Sequence, residues 1–388
     1  MNQIKKLSHD HYPEIFKLSQ FAFQYTLNEV ELEEKEKEAE RHEIWGWLEE
    51  EQLCAKVHMI PLQVNINGNK VKMGGIASVA SWPEYRRGGM IKKLLLTVLQ
   101  SMKENGYIIS YLHPFSVPFY RRYGYELTFP YKRYQIPIET LKKKWSPNGY
   151  ARRSKNYQEL DKIYSTYINR YNGGLIRDEK WWQQRVIKKD TIITICYNDQ
   201  NEPEGYLLYH VKDRILYVED MAYVNSNGLK LILQLLSNHD SMVTSVEMKV
   251  PADDSLPLLV DEPRYEQKLV PYFMSRIVDV SAFLRQYRFR MTDRFHPIAI
   301  EVEDEFLPEN TGTYYLTKEN SDIVVSRDKP DGKCQHIYCS VQQLTSILLS
   351  YQNATNLAGL QLIQGDVTAI QTLDAIIPNK QTYFPDFF

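Results

Sequence analysis

At 388 residues the chain exceeds the usual size of one hydrophobic core, so two or three domains are expected. Its 43% hydrophobic and 25% charged residues describe an ordinary globular protein and argue against long disorder. A net charge of -2 excludes nucleic-acid binding by field alone, and no run approaches the ~18 apolar residues of a membrane helix. Cations near the N-terminus lack an apolar stretch behind them, which argues against a secretory signal. Four scattered cysteines, Cys54, Cys196, Cys334 and Cys339, suit reduced thiols, and the expected location is the cytoplasm. The Cys334-x4-Cys339 pair with His336 between has no second ligand pair, so both cysteines read as half-buried strand residues and no metal is expected.

Residues 12–23 are a predicted helix with Ile15, Phe16, Leu18, Phe21 and Ala22 near one face. Residues 30–41 form a second, Glu-rich helix supported by the i,i+4 pairs Glu31/Lys35 and Glu33/Lys37. Trp45-Gly46-Trp47 reads equally as the start of a strand with both indoles on one face and as a pocket wall. Residues 53–64 and 70–81 are strands joined by a hairpin with the turn signal Asn67-Gly68. The second strand is lined with small residues, Gly74-Gly75-Ile76-Ala77-Ser78-Val79-Ala80-Ser81, which let a ligand approach the backbone.

That strand runs into Arg86-Arg87-Gly88-Gly89 and a helix with Ile91, Leu95, Val98 and Met102 on one face. Cationic side chains and uncovered N–H groups at a helix N-terminus attract an anion, so the turn is a phosphate cradle. Neither Gly-x-Gly-x-x-Gly after a strand nor Gly-x4-Gly-Lys-Ser/Thr is present, which removes dinucleotide and P-loop readings. Residues 107–112 follow as a buried strand, then the loop His113-Pro114-Phe115-Ser116 and a helical turn over 117–122 that contains Phe119-Tyr120-x3-Gly124-Tyr125.

A Lys/Pro/Gly-rich linker covers 142–149. Beyond it come a helix (157–171), strands (191–197 and 205–211), a helix (228–238) and a strand (243–250), an order that echoes the first unit without its cradle. No cofactor is assigned there. The last hundred residues read as an α+β module, with strands over 296–303, 312–317 and 322–326 and helices over 341–351 and 366–377. The aromatic tail Tyr383-Phe384-Pro385-Asp386-Phe387-Phe388 is expected to dock, because an exposed aromatic end is adhesive.

The small-residue strand, the Arg-Arg-Gly-Gly turn and Phe119-Tyr120-x3-Gly124-Tyr125 resemble the acyl-CoA signature of the GNAT superfamily of N-acetyltransferases. The spacing Val79-x3-Pro83-x2-Arg86-Arg87-x-Gly89, the three-part layout, the length and the Phe-ending tail resemble the enhanced intracellular survival (Eis) family. The specific motifs lie in the first third of the chain; over the rest the resemblance is one of layout. It implies tandem GNAT folds, α/β units with mixed, mostly antiparallel sheets and flanking helices, followed by a sterol-carrier-protein-like α+β domain. The domains implied are a catalytic unit over 1–140, a degenerate one over 150–285 and the third over 290–388. It also implies a homohexamer, with a small-molecule amine as partner, and no nucleic acid or membrane.

In such proteins acetyl-CoA is the co-substrate. The backbone matching Val79, Ala80 and Ser81 holds pantetheine and thioester, and residues matching Arg86, Arg87, Gly88, Gly89, Met90, Ile91 and Lys92 hold the pyrophosphate. Phe115 and Ser116 match residues along the cofactor. Ile91 departs from the superfamily preference for Gly or Ala. Acyl transfer needs a neutral amine, a polarised carbonyl and a proton for the thiolate. Tyr120 is the candidate acid, since a phenol with a pKa near ~10 stays protonated at neutral pH. Glu84, His113 and Glu126 lie near the motifs but read as surface or strand-end residues. The resemblance points to the α-carboxylate of Phe388 as base.

Phe21 and Phe23 read as core residues first and pocket walls second, with Trp45 and Trp47 completing the weak acceptor-site candidates. The resemblance favours direct transfer in a ternary complex to polycationic, aminoglycoside-type amines, with peptide lysines as runner-up. A non-catalytic acyl-CoA sensor and a lipid carrier are the competing classes.

Overall fold

The first unit is built in the order β1 (Gln3–Lys6), α1 (Tyr12–Phe23), α2 (Glu29–Ala39), β2 (Glu43–Glu49), β3 (Gln52–Ile66), β4 (Asn69–Ser81), α3 (Met90–Glu104), β5 (Ile109–Leu112), α4 (Val117–Arg121) and β6 (Glu126–Pro137) in a computed structural model. The structure describes residues 3–388 apart from Lys155 and Arg294. Asn67 and Gly68 both have positive φ, 49° and 83°, the two-residue turn that matches strand twist and sets the β3/β4 register. Met90, Leu94, Leu95, Val98, Leu99 and Met102 form the buried face of α3.

The second unit runs α5 (Ile138–Leu141), β7 (Tyr150–Arg153), α6 (Tyr157–Ile168), α7 (Glu179–Trp181), β8 (Ile192–Tyr197), β9 (Pro203–Lys212), β10 (Ile215–Tyr223), α8 (Ser226–Ser237), β11 (Ser245–Pro251) and β12 (Glu266–Ile277). The two units share one 12-stranded sheet, ordered β1-β2-β3-β4-β5-β12-β6-β11-β10-β9-β8-β7. Each unit's last strand crosses to the other: β12 pairs antiparallel with β5, and β6 pairs antiparallel with β11. Strands β1, β6, β7, β10 and β12 of this sheet are additions to the sequence reading. In β12 the obstacle is Pro271, which pairs opposite Pro130 beside a register slip; a proline in a run demotes it as a strand when only the sequence is read.

The third unit comprises α9 (Val280–Gln286), β13 (Ile298–Glu303), β14 (Gly312–Glu319), β15 (Asp322–Ser326), β16 (Gln335–Ser340), α10 (Val341–Leu348), α11 (Ala354–Gly359), β17 (Gln364–Gly365) and α12 (Val367–Ile376). Its sheet order is β15-β14-β13-β16-β17. Cys339 is buried on β16, whereas Cys334 lies before that strand. Arg276 of β12, fully buried, ties this unit to the first: its guanidinium bonds Asp304 at 2.5 Å and the Tyr123 carbonyl. A Cβ at Gly124 would stand 2.8 Å from that guanidinium, and Gly124 has φ 79°, so two constraints place glycine in the Phe-Tyr-x3-Gly-Tyr segment.

Candidate active site

Strands β4 and β5 run parallel and pair only from Met73/Ile109 to Ile76/Leu112. Beyond that point β5 ends while β4 continues to Ser81. At the same place the β3/β4 register slips, with His58 opposite Ala77 and Lys56 opposite Ala80, so Ser78 and Val79 share the single partner position Val57. Ser78 takes φ 48°, and the bulge bends β4. Ala77, Ser78 and Val79 are half-buried in mid-sheet, with no strand beside them on the β5 side among the described residues. Their backbone groups face a gap suited to an extended amide-bearing arm. Small residues earlier in the strand serve the protein itself: a Cβ at Gly74 would strike Met102, and one at Gly75 would lie 2.8 Å from the Phe388 ring.

The strand leads to the cradle. Arg87 has φ 67° and Gly89 φ 78°, so the chain turns twice through the left-handed region before α3. Gly89 is the N-cap and offers no side chain to the helix, and Arg86, Arg87, Gly88, Gly89 and Lys92 are exposed. Among the described residues, Arg86, Arg87 and Lys92 make no ion pair, and the N–H groups of Arg87, Gly88 and Gly89 have no protein acceptor. Met90 and Ile91 contribute N–H groups of the first helical turn, with the Met90 side chain in the core. The corresponding helix of the second unit is closed: Asn225 caps α8 through the Gly228 N–H at 2.9 Å, and Glu204 packs against Gly228. A pyrophosphate fits the first helix and not the second.

Tyr120 lies one residue before the end of α4, with its ring edge-on to Phe115, Phe119 and Tyr125. It is 3% exposed, and burial, aided by Tyr125 and Tyr123, pushes its phenol well above the usual range, which keeps it protonated. Tyr125 holds this aromatic group to the sheet through Ser110 Oγ at 2.8 Å, which donates to the Gly74 carbonyl at 2.8 Å. Phe115 is 72% exposed, and Ser116 is the N-cap of α4. Glu126 is held by Arg121 at 2.7 Å, and Glu84 is exposed beside the cradle.

The tail returns to this site. Asn172 donates to the Gln381 carbonyl at 2.8 Å and accepts from Tyr383 N–H at 3.2 Å. Phe384 is buried against Tyr111, Phe129 and Phe273. Asp386 is latched in the interior by Arg177 Nε at 3.0 Å, Trp181 Nε1 at 2.7 Å and the Tyr164 hydroxyl at 3.3 Å. Arg177 also reaches Asp220 at 2.6 Å. Phe387 lies against His113, and the Phe388 ring against Trp181, Phe273 and Gly75, two residues before the gap in β4.

A cleft of about 310 Å³ opens beside Asp386 and Phe387, lined by cations Lys35, Arg185, Lys188 and Lys249 and by Glu219 and Asp220. Lys188 pairs with Glu219 at 2.6 Å; Lys35 and Arg185 both pair with Glu38. Lys249 stands over Tyr131 and Tyr272, and the pKa of His113 is lowered by burial first and by the Lys249 charge second.

The early aromatics divide differently from the sequence reading. Phe21 and Phe23 are 50% and 49% exposed, which corrects their reading as core residues: they lie past the buried Ile15, Phe16, Leu18 and Ser19 stripe of α1. Phe21 packs on Trp82 at 4.9 Å, forming a ledge just beyond Ser81. Trp45 and Trp47 instead pack in the core under α3, with Lys93 over the Trp47 ring, because alternate residues of β2 share that face. Sequence reasoning missed Trp82, Arg177, Trp181 and the buried Lys56 and His58. Their residue types carry no local pattern; only the lysine and histidine inside the apolar run of β3 gave a signal.

Residues 3–128 match the Acetyltransferase (GNAT) domain family, residues 173–277 match a second Acetyltransferase (GNAT) domain, and residues 280–385 match the Sterol carrier protein domain. With the gap, the cradle and Tyr120 in place, these matches define the class: the chain is an N-acetyltransferase of the GNAT type, a fold that implies acetyl-CoA binding. It is 22% identical over 367 residues to an uncharacterized N-acetyltransferase of Streptomyces griseus, covering 83% of each chain. A probable N-acyltransferase from Enterococcus faecalis superposes with TM-score 0.94 at 28% identity over 100% of both chains. The N-acetyltransferase Eis of Mycobacterium tuberculosis is 23% identical over 225 residues, 52% of this chain and 54% of that one. Tandem GNAT units followed by the sterol carrier domain make this an Eis-like GNAT N-acetyltransferase.

Proposed function

We propose that the first unit transfers the acetyl group of acetyl-CoA directly to an acceptor amine bound beside the C-terminal tail. One observation carries the reading: the open cradle, the β4/β5 gap and Tyr120 belong to one unit, and the tail lays the Phe388 ring against Gly75 on that unit's β4. Val79, Ala80 and Ser81 present backbone groups to the pantetheine arm, and Arg86 through Lys92 hold its phosphates. Phe115 and Ser116 flank the arm at the foot of α4. Bound acetyl-CoA supplies an activated acyl group, and Tyr120 gives its proton to the departing thiolate. The α-carboxylate of Phe388, where that residue is the last of the chain, takes a proton from the ammonium. Phe21 and Trp82 wall the acceptor side.

For the acceptor, the family resemblance supports polycationic small molecules. The cleft supports the runner-up, an amine flanked by acidic groups such as a lysine in an acidic peptide, because its cations outnumber its carboxylates and Lys249 has no ion-pair partner among the described residues. Transfer is tested by thiol release from acetyl-CoA with aminoglycosides, polyamines and lysine peptides of either charge. Absence of release across the panel, with acetyl-CoA still bound, would make the protein a sensor. Tyr120→Phe is expected to lower kcat about 100-fold with little change in acetyl-CoA affinity, and residues appended after Phe388 to do the same. An unchanged kcat in either variant removes that group from the mechanism. We further propose a homohexamer, which light scattering tests.

A further inference from the structure

Lys56 of β3 is fully buried, and among the described residues it has no carboxylate partner; Glu38 of α2 pairs instead with Lys35 and Arg185. Its Nζ contacts the Ser78 hydroxyl at 2.6 Å, the Ser78 carbonyl at 3.1 Å and His58 Nε2 at 3.1 Å. Three acceptors match the three hydrogens of an ammonium. His58, 4% exposed, meets the half-buried His42 through their Nδ1 atoms at 3.2 Å. With the His58 proton on Nδ1, its Nε2 lone pair is left for Lys56. A buried lysine without a carboxylate is costly and rarely kept for packing alone.

The charge is aimed at the β4 bulge. Ser78, at φ 48°, shares with Val79 the single partner position Val57, so the ladder is disrupted at this point. Lys56 holds the bulged residue twice, by its carbonyl and by its hydroxyl. The Ser78 C=O and the Val79 N–H are the opposite poles of one trans peptide bond. With the carbonyl turned to Lys56, the N–H points away from it. A cation at the oxygen end draws electron density from the nitrogen end and makes the N–H a stronger donor.

We propose that Lys56 is a positioning residue of the acyl site: it pins the bulged Ser78–Val79 peptide and, as an ammonium, polarises it, so that the Val79 N–H offers a strengthened hydrogen bond to the acyl oxygen in the gap. The proposal rests on the acetyl-transfer reading, which lays the acyl arm along Val79. Negative charge grows on that oxygen as the amine adds, and a donor fixed in advance and aimed there stabilises the transition state more than the ground state. Lys56 acts through the peptide and gives up no proton in the reaction.

Burial lowers Lys56 to about 7, so the ammonium is present below that pH and lost above it. The groups around it do not titrate there. His42 is lowered to about 3 by burial first and by Arg185, Arg41, Lys56 and Lys35 second. His58 is lowered well below its usual value by burial first, then by Lys56 and His42. On the α1 side Ser19 Oγ lies 3.5 Å from Ser78 Oγ, and burial raises the phenol of Tyr25, which bonds Ser19. Lys56 is therefore the group of this cluster whose charge changes near neutrality.

The test pairs NMR of the unliganded full chain with pH profiles of thiol release. Carbon-13 at the serine carbonyls and nitrogen-15 in valine give one correlation for each of the four Ser–Val pairs, and the signal lost in Val79→Ile is that of Ser78–Val79. In the wild type the Val79 nitrogen shift should follow pH with a midpoint of about 7; in Lys56→Met it should not. Lys56→Met is expected to lower kcat about tenfold with the KM for acetyl-CoA retained. The ratio of wild-type to variant kcat should fall as the pH rises through about 7, where the ammonium is lost. A folded Lys56→Met with the wild-type kcat, or a ratio independent of pH, overturns the proposal. The wild-type titration needs no change at Lys56 and decides should that variant fail to fold: a Val79 nitrogen insensitive to pH overturns the polarisation. Should no amine be acetylated, the transfer reading fails, and the same titration still upholds or overturns the coupling of Lys56 to the Val79 N–H.

Discussion

Asp386 is the residue on which the returning tail depends, and Asp386→Asn isolates its charge with little change of shape. The carboxylate and Arg177 are both 2% exposed, so the substitution leaves a buried guanidinium short of one counter-charge. Breaking a buried pair costs about 3–5 kcal/mol. Arg177 retains Asp220 at 2.6 Å and Asn still accepts from Trp181, which sets the expectation near the lower figure. The loss falls on a local opening, because residues 381–388 can leave without unfolding three units. About 3 kcal/mol multiplies the open population roughly 150-fold. Hydrogen exchange followed by mass spectrometry reads this directly at the Tyr383 amide, whose acceptor is the Asn172 carbonyl. Exchange there should accelerate about 100-fold, while acetyl-CoA affinity, which resides at Arg86–Lys92, stays the same. Unchanged exchange at Tyr383 would refute the latch and, with it, the account of how Phe388 is held.

Gly75→Ala places a methyl against the Phe388 ring, 2.8 and 2.9 Å from Cε2 and Cζ, and is expected to cost about 1–3 kcal/mol by overpacking; calorimetry should show a lowered transition and thiol release a lowered kcat. Arg87→Gly relieves a left-handed non-glycine residue, a gain of about 1–2 kcal/mol, yet removes a phosphate partner, so titration calorimetry should show about tenfold weaker acetyl-CoA binding in a more heat-resistant protein. The pH dependence of stability follows from Lys56. Its folded pKa of about 7 lies below the unfolded value near ~10.4, so between these pH values the unfolded chain binds the extra proton and stability rises with pH. Below about 7 both states hold the proton, and the full cost of the buried charge is present. Denaturant midpoints of the wild type should therefore rise from pH 7 to 10 more steeply than those of Lys56→Met; parallel curves would contradict the burial of that ammonium.

The cradle, the Asn67-Gly68 hairpin, the buried face of α3 and the order of the three units were readable from the chain because each is a matter of local spacing: a period of two or 3.6, a turn that needs positive φ, a helix start without a cap. Docking of the aromatic tail was also readable, since Phe384 and Phe388 have to be covered. What the chain alone did not reveal is where distant segments meet. The exchange of β6 and β12 between units, the Arg177–Asp386 latch and the Lys56–His58–His42 line each join residues through sheet register or across separate units. Pro271 concealed a central strand, and Phe21 sat in a helical pattern that the tertiary structure leaves half open. Local sequence sets which backbone geometries are cheap; only the packed sheet decides which side chains share an interior, because register and burial are settled by the sum of contacts over the whole core.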